Sequence, residues 1–328
     1  MRAVILGGGS WGTALGNMLA AKGLEVALWL RDAEVALAVN ARHENTRYLP
    51  GLTLHGGLRA SLDPDEAFAG AELCVLAVPC QGARAALRSL ASRFTPDLPL
   101  ICASKGLELV SRKTMSGMVA EELPRTPYAI LSGPSFAAEV LRELPCAVAL
   151  GCADKNLGGR LRHIFSTSRF RVYSSVDVLG VELGGALKNI IAIAAGVSDG
   201  LGLGHNARAA LITRGLAEMS RLGAALGAQP ITFMGLSGLG DLALTCAGDL
   251  SRNRRVGLGL AAGKNLEQIQ AEIGMATEGV KTTEAALALG RDLGVELPVA
   301  ATVHTLLRGS LDAGEAARQL MARALKEE

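Results

Sequence analysis

Aromatic side chains are scarce in this 328-residue chain: two tryptophans, three tyrosines and six phenylalanines, 3% of the total. Bases stack on aromatic platforms and phosphates need cations. The scarcity, with a net charge of only +2, argues against a nucleic-acid partner. No surplus of one sign pulls the chain toward an acidic membrane face either. None of the six cysteines forms a Cys-x-x-Cys pair. Cys74, Cys80, Cys102, Cys146, Cys152 and Cys246 read as small apolar residues in a reducing compartment, neither staples nor zinc ligands. The five histidines are scattered without ligand spacing, so no metal is expected. The longest apolar run, 190–197, is too short to span a bilayer. The N-terminus lacks a signal-peptide pattern. The expectation is a cytoplasmic protein with no membrane insertion.

Glycine is abundant: 40 residues without a repeat. Three of them are placed with purpose. A short apolar strand runs into Gly7-x-Gly9-x-x-Gly12, and a helical pattern follows at once. Gly7 permits the tight turn, Gly9 lets a pyrophosphate approach the backbone, and Gly12 lets the helix sit close on the strand. The helix start then offers unpaired N–H groups to a phosphate. Glycine loops of other α/β folds, methyltransferases among them, are the alternative.

From residue 1 to about 175, apolar strand patterns (3–6, 25–30, 72–78, 100–103, 128–132, 146–150 and 170–173) alternate with helical ones (13–22, 32–41 and 82–92). Near-continuous apolar strands alternating with helices predict a mostly parallel sheet covered on both faces. Beyond that point only helical patterns occur: 178–197, 207–226, 254–262, 266–273, 282–294, 299–308 and 313–326. The fold class expected is α/β: an N-terminal Rossmann-like, mostly parallel sheet domain over 1–176, then an all-α C-terminal domain over 177–328. Such a pairing places a catalytic cleft where the two meet.

The second strand pattern ends in Leu28-Trp29-Leu30-Arg31-Asp32. NAD-binding folds often carry an acid there for the ribose hydroxyls. Arg31 stands at or beside that position and suits a 2′-phosphate; Asp32 either reaches a ribose or caps the next helix. The cofactor expected is NADP or NAD.

Four further segments join polar residues to glycines. Ser104-Lys105-Gly106 and Ser132-Gly133-Pro134-Ser135 follow strands. Glu182 to Asn189 lies in a helix, where Gly184 and Gly185 permit close approach by a ligand or by the other domain. Gly238-Leu239-Gly240-Asp241 reads as a turn. Lys188 sits in an apolar helical stretch, either snorkelling to solvent or buried for a purpose, in which case it suits a general acid/base. Asp241 suits its orientation. Ser251 is placed to cap a helix that begins with Arg252 and Asn253. That is either a phosphate clamp or an ordinary capped helix with a basic first turn. Cations oppose the macrodipole there, which a bound anion would explain.

Together these segments closely resemble the bacterial NAD(P)-dependent glycerol-3-phosphate dehydrogenases, through nearly the whole chain. The resemblance rests on residues 7–14, Ser104-Lys105-Gly106, 132–137, 184–189, 199–204, Thr213-Arg214-Gly215, Gly240-Asp241-Leu242 and Ser251-Arg252-Asn253. It implies reversible hydride transfer between NAD(P)H and dihydroxyacetone phosphate, giving sn-glycerol 3-phosphate for phospholipid synthesis. It implies Lys188 as the acid/base, with Lys105 stabilising the oxyanion. Lys105, Gly133, Ser135, Lys188, Asp241, Ser251, Arg252 and Asn253 would contact substrate. Ser10, Trp11, Arg31, Lys105, Ala137, Arg252, Ala276 and Glu278 would contact the cofactor; Ala276 stands where the family often has a larger aliphatic residue. A homodimer is compatible with the sequence. Two other readings stand beside it: a β-hydroxyacid or ketopantoate-type dehydrogenase, and a non-catalytic dinucleotide sensor.

Overall fold

The computed structural model describes residues 1–321, which fall into two compact units. The first comprises Met1–Lys105 and Lys113–Glu182. Its strands are β1 (Arg2–Leu6), β2 (Glu25–Trp29), β3 (Leu58–Ser61), β4 (Leu73–Leu76), β5 (Leu100–Cys102), β6 (Tyr128–Ser132), β7 (Cys146–Gly151) and β8 (Phe170–Ser175). Its helices are α1 (Ser10–Ala21), α2 (Ala33–Arg42), α3 (Pro64–Phe68), α4 (Cys80–Leu90), α5 (Met115–Glu122), α6 (Ala137–Leu141) and α7 (Lys155–Phe165).

The eight strands form one sheet in the order β3-β2-β1-β4-β5-β6-β7-β8. All neighbours are parallel except β6 and β7. Ile5, Leu28, Val75, Ile101, Leu131 and Leu150 join Leu15, Leu19 and Phe165 from the helices in one buried core. Each such side chain contributes about 1.5–3 kcal/mol on burial. The chain order reverses between β1 and β4, and ligands of open α/β sheets bind outside the strand ends at such a switch point.

β3 is absent from the sequence-based expectation. It is only four residues long and carries the exposed Arg59, so no apolar run marks it. It forms because β2 pairs with it and because Asn40 of α2 brackets its outer edge. The Asn40 side chain donates to Ala60 O at 2.8 Å and accepts from Ala60 N at 2.8 Å.

The second unit comprises Gly106–Arg112 and the described residues from Leu183 onward; the regular elements among them are helices. They form α8 (Val178–Gly200, which begins in the first unit), α9 (Gly204–Ala225), α10 (Pro230–Phe233), α11 (Asp241–Ala247), α12 (Arg252–Ala261), α13 (Leu266–Ile273), α14 (Glu278–Leu293), α15 (Pro298–Leu307) and α16 (Ala313–Met321). The expected last helix continued to 326; that remainder lies outside the described residues. The first unit ends at Glu182. The first turns of α8 pack on the sheet: a side chain on Gly151 would meet Val178 and Val181 at 3.2 Å.

α8 is long and apolar enough to cross a membrane, as is the stretch Pro230–Ala247; 89% of an apolar 18-residue window of the first is buried within the protein and 39% of the second. The expected turn around Gly238 is a π-helical segment, Leu236–Gly240, running directly into α11. All six cysteines are free thiols, and burial pushes Cys102 up to about 12.

Candidate active site

In the first unit, the three glycines do what their spacing requires. Gly7 has φ +117°, a conformation side chains resist, and a Cβ there would lie 2.6 Å from Ala77 O. A Cβ on Gly12 would lie 2.0 Å from Gly7 O. The turn is therefore pressed against the end of β4, at the switch point. Gly9 has nothing within 4 Å of its missing side chain, and it caps α1 without a side-chain acceptor. The N–H groups of Ser10, Trp11 and Gly12 have no helical acceptor before them. An open approach over Gly9 beside an uncapped helix start fits a dinucleotide pyrophosphate.

Side chains around this turn brace it. Ser10 Oγ donates to Tyr48 O at 3.2 Å. Trp11 packs toward Phe170, with ring centroids 6.5 Å apart, and its buried indole N–H has no acceptor among the described residues. The main-chain N–H of Trp11, rather than its ring, is thus presented at the helix start. Ala137 begins α6, which packs on α1. Arg31 is exposed just past β2. Asp32 caps α2, accepting from Glu34 N and Val35 N at 3.1 and 3.2 Å, and pairs with Arg47 at 2.6 Å. These contacts hold its carboxyl below the ordinary range.

Lys105, Gly133 and Ser135 converge. Lys105 Nζ lies 3.4 Å from Gly133 O, and Ser135 Oγ donates to the same oxygen at 2.9 Å. Gly133 has φ +148°, and a Cβ there would meet Val148 Cα at 2.8 Å.

The second unit gathers the remaining candidates. Lys188 is 7% exposed, inside the helical packing, so the snorkelling alternative fails. Its ammonium donates to Asp241 Oδ1 and, at 2.7 Å, to Thr245 Oγ1. Thr245 in turn donates to Asp241 O at 2.6 Å. Gly184 makes this juxtaposition possible: a Cβ there would lie 2.5 Å from Ser237 O. The space above that glycine admits the π-helical segment of its own unit, a correction to the expected ligand or other domain.

Ser251 caps α12 through Arg254 N at 3.2 Å. The N–H groups of Arg252 and Asn253, ahead of it, have no acceptor among the described residues. Burial pushes the Arg252 guanidinium down, opposed by Glu278. Asn253 donates to Asn189 Oδ1 at 2.9 Å and accepts from Gly279 N at 3.0 Å, tying α12 to α8 and to the start of α14. That contact brings Glu278 near Arg252, while Ala276 lies exposed two residues before it. Arg254 pairs with Asp199 at 2.8 Å and Asp249 at 3.0 Å. Those carboxylates offset the Arg254 charge at the helix start.

Three contributors escaped the sequence reading. Thr245 is one helical turn beyond Asp241, a spacing that could have flagged it. Asn45 is fully buried and donates to Gly8 O at 2.9 Å and Thr13 Oγ1 at 2.8 Å, locking the glycine turn. Arg47 reaches Asp32 across fifteen residues, which no local pattern reveals.

Comparison with known proteins agrees with this geometry. Residues 2–158 match the family model for the N-terminus of NAD-dependent glycerol-3-phosphate dehydrogenase, and residues 177–318 match that for its C-terminus. A glycerol-3-phosphate dehydrogenase [NAD(P)+] of Nitratidesulfovibrio vulgaris (strain DP4) is 58% identical, over 100% of both chains. The crystal structure of glycerol-3-phosphate dehydrogenase from Coxiella burnetii superposes with a TM-score of 0.94 at 41% identity, covering 98% of this chain and 99% of that one. A ketopantoate reductase from Ralstonia eutropha shares the fold alone, at 18% identity and a TM-score of 0.59 over 97% of this chain and 100% of that one. The chain belongs to the NAD-dependent glycerol-3-phosphate dehydrogenase family.

Proposed function

We propose that this chain interconverts dihydroxyacetone phosphate and sn-glycerol 3-phosphate with NADPH or NADH, supplying glycerophospholipid synthesis in the cytoplasm. The observation that carries the reading is the buried Lys188 ammonium held by Asp241 and Thr245. A charge this far from water needs partners, and a positioned lysine is a competent proton donor.

The dinucleotide, when bound, supplies the hydride; Gly7, Gly9, Ser10, Trp11, Gly12, Arg31, Ala137, Ala276 and Glu278 would hold it. As negative charge grows on the ketone oxygen, Lys188 delivers the proton and Lys105 stabilises the developing oxyanion. Asp241 and Thr245 fix the direction of the Lys188 amine. Gly133 and Ser135 would line the substrate. Ser251, Arg252 and Asn253 would receive the phosphate: two main-chain N–H groups and a guanidinium offer it donors, so remote binding energy orients the carbonyl. Asn253 has much of its amide committed to Asn189 and Gly279, so its main-chain N–H is the donor assigned here.

The test is NAD(P)H consumption by purified protein, followed by absorbance. Turnover of dihydroxyacetone phosphate with none of hydroxyacid-forming keto acids supports the reading. Preference for a keto acid, or cofactor binding without turnover, overturns it. The partner set proposed is this small molecule, with no nucleic acid and no membrane insertion; sedimentation of the protein tests for a homodimer.

A further inference from the structure

Three charged groups lie together just past the end of β2. This is where the strand-end rule of Rossmann sheets places recognition of the adenosine ribose. Arg31 is exposed there. Asp32 has both carboxylate oxygens occupied: Oδ1 by Glu34 N and Val35 N, and Oδ2 by Arg47 Nη1 at 2.6 Å. Arg47 comes from a different segment, and its guanidinium stands 5.5 Å over the Tyr48 ring.

That segment is fixed to the cofactor turn. Asn45 is bonded to Gly8 O and Thr13 Oγ1, Tyr48 N donates to Asn45 Oδ1 at 3.2 Å, and Ser10 Oγ holds Tyr48 O. Arg47 is therefore delivered to the end of β2 from an anchored backbone. Its side chain is 60% exposed and that of Asp32 is 30% exposed. An ion pair this wet is screened by solvent and weak, so a dianionic phosphate can displace the carboxylate from the guanidinium.

We propose that Arg47 is a specificity-determining residue that, with Arg31, receives a 2′-phosphate, and that Asp32 competes with that phosphate for it. With a 2′-phosphate present, Arg47 turns from Asp32 to the phosphate. With a plain ribose, the Asp32–Arg47 pair persists and Asp32 remains the acceptor near the hydroxyls. One ion pair thus serves both dinucleotides. This rests on the proposed NAD(P) reading of the glycine turn and deepens it.

Calorimetric titration of the full chain with adenosine 2′,5′-bisphosphate and with adenosine 5′-monophosphate tests the inference without turnover, since the two differ only in the 2′-phosphate. Arg47→Gln is expected to weaken the bisphosphate about tenfold and to leave the monophosphate unchanged. Asp32→Asn keeps the helix cap, since asparagine caps as well as aspartate. It is expected to tighten the bisphosphate alone. Loss of affinity for both ligands in equal measure, or for neither, in Arg47→Gln makes Arg47 a loop brace and overturns the proposal. If the unaltered protein binds neither nucleotide, the dinucleotide reading itself falls, and this inference with it.

Discussion

Lys188 and Asp241 form an ion pair across 53 residues of sequence, with side chains 9% and 1% exposed. Removing one member of so buried a pair strands the other. Asp241→Asn is expected to cost about 3 kcal/mol of stability and to depress turnover. Lys188→Ala is expected to lower kcat by about two to four powers of ten while NADPH binding, read by fluorescence titration, is retained. Near-normal turnover of Lys188→Ala eliminates it as the proton donor.

In the proposed reaction, Arg252 bears on affinity rather than on the proton. Loss of a charge-assisted contact is worth about 1.5–3 kcal/mol. Arg252→Ala is thus expected to raise KM for dihydroxyacetone phosphate at least tenfold. Phosphate-free dihydroxyacetone should respond far less. An equal loss for both ketones removes the phosphate assignment.

Gly196 of α8 faces the backbone of α12. A Cβ there would lie 2.0 Å from Arg254 O. Overpacking against a main chain that has nowhere to move costs about 2–3 kcal/mol. Gly196→Ala is expected to lose that much in urea unfolding. Gly9→Ala, with open space around it, should unfold like the parent yet bind dinucleotide less well. Equal stabilities for the parent and Gly196→Ala would contradict the close helix crossing.

Glu122 provides a pH signature. Hydrogen bonds from Arg88 and Arg84 bring its carboxyl from 4.5 to about 2. The folded state therefore holds this proton more weakly than the unfolded chain. Its contribution is complete above about 4.5 and is lost as pH falls through about 2. The melting-temperature gap between the parent and Glu122→Gln should be constant from neutral pH to about 5, then narrow progressively. A gap that stays uniform down to pH 2 rejects this account.

The sheet and most long helices were legible because their apolar patterns are strong. The strand β1 (Arg2–Leu6), with its glycine turn, needed only local spacing. The helix at Leu266–Ile273 has its asparagine cap in the sequence. What stayed hidden depends on partners far away. β3 exists through β2 and Asn40, and the π-helical segment at Leu236–Gly240 needs the backbone space that Gly184 leaves open. The same holds for the chemistry. Lys188, Asp241 and Arg252 were visible as motifs. Thr245, Asn45 and Arg47 acquire their roles only when residues 15 to 57 apart meet. The basic first turn of α12 was legible too, but the partner of Arg254 was not, because Asp199 lies 55 residues upstream.

The amide of Asn40 occupies both main-chain groups of Ala60 on the terminal strand. A strand arriving from another molecule would find that rung of the ladder already taken. Recruitment of a ninth strand along this margin is thereby blocked by one side chain, and protection against runaway sheet growth is written into a helix rather than into the strand it guards.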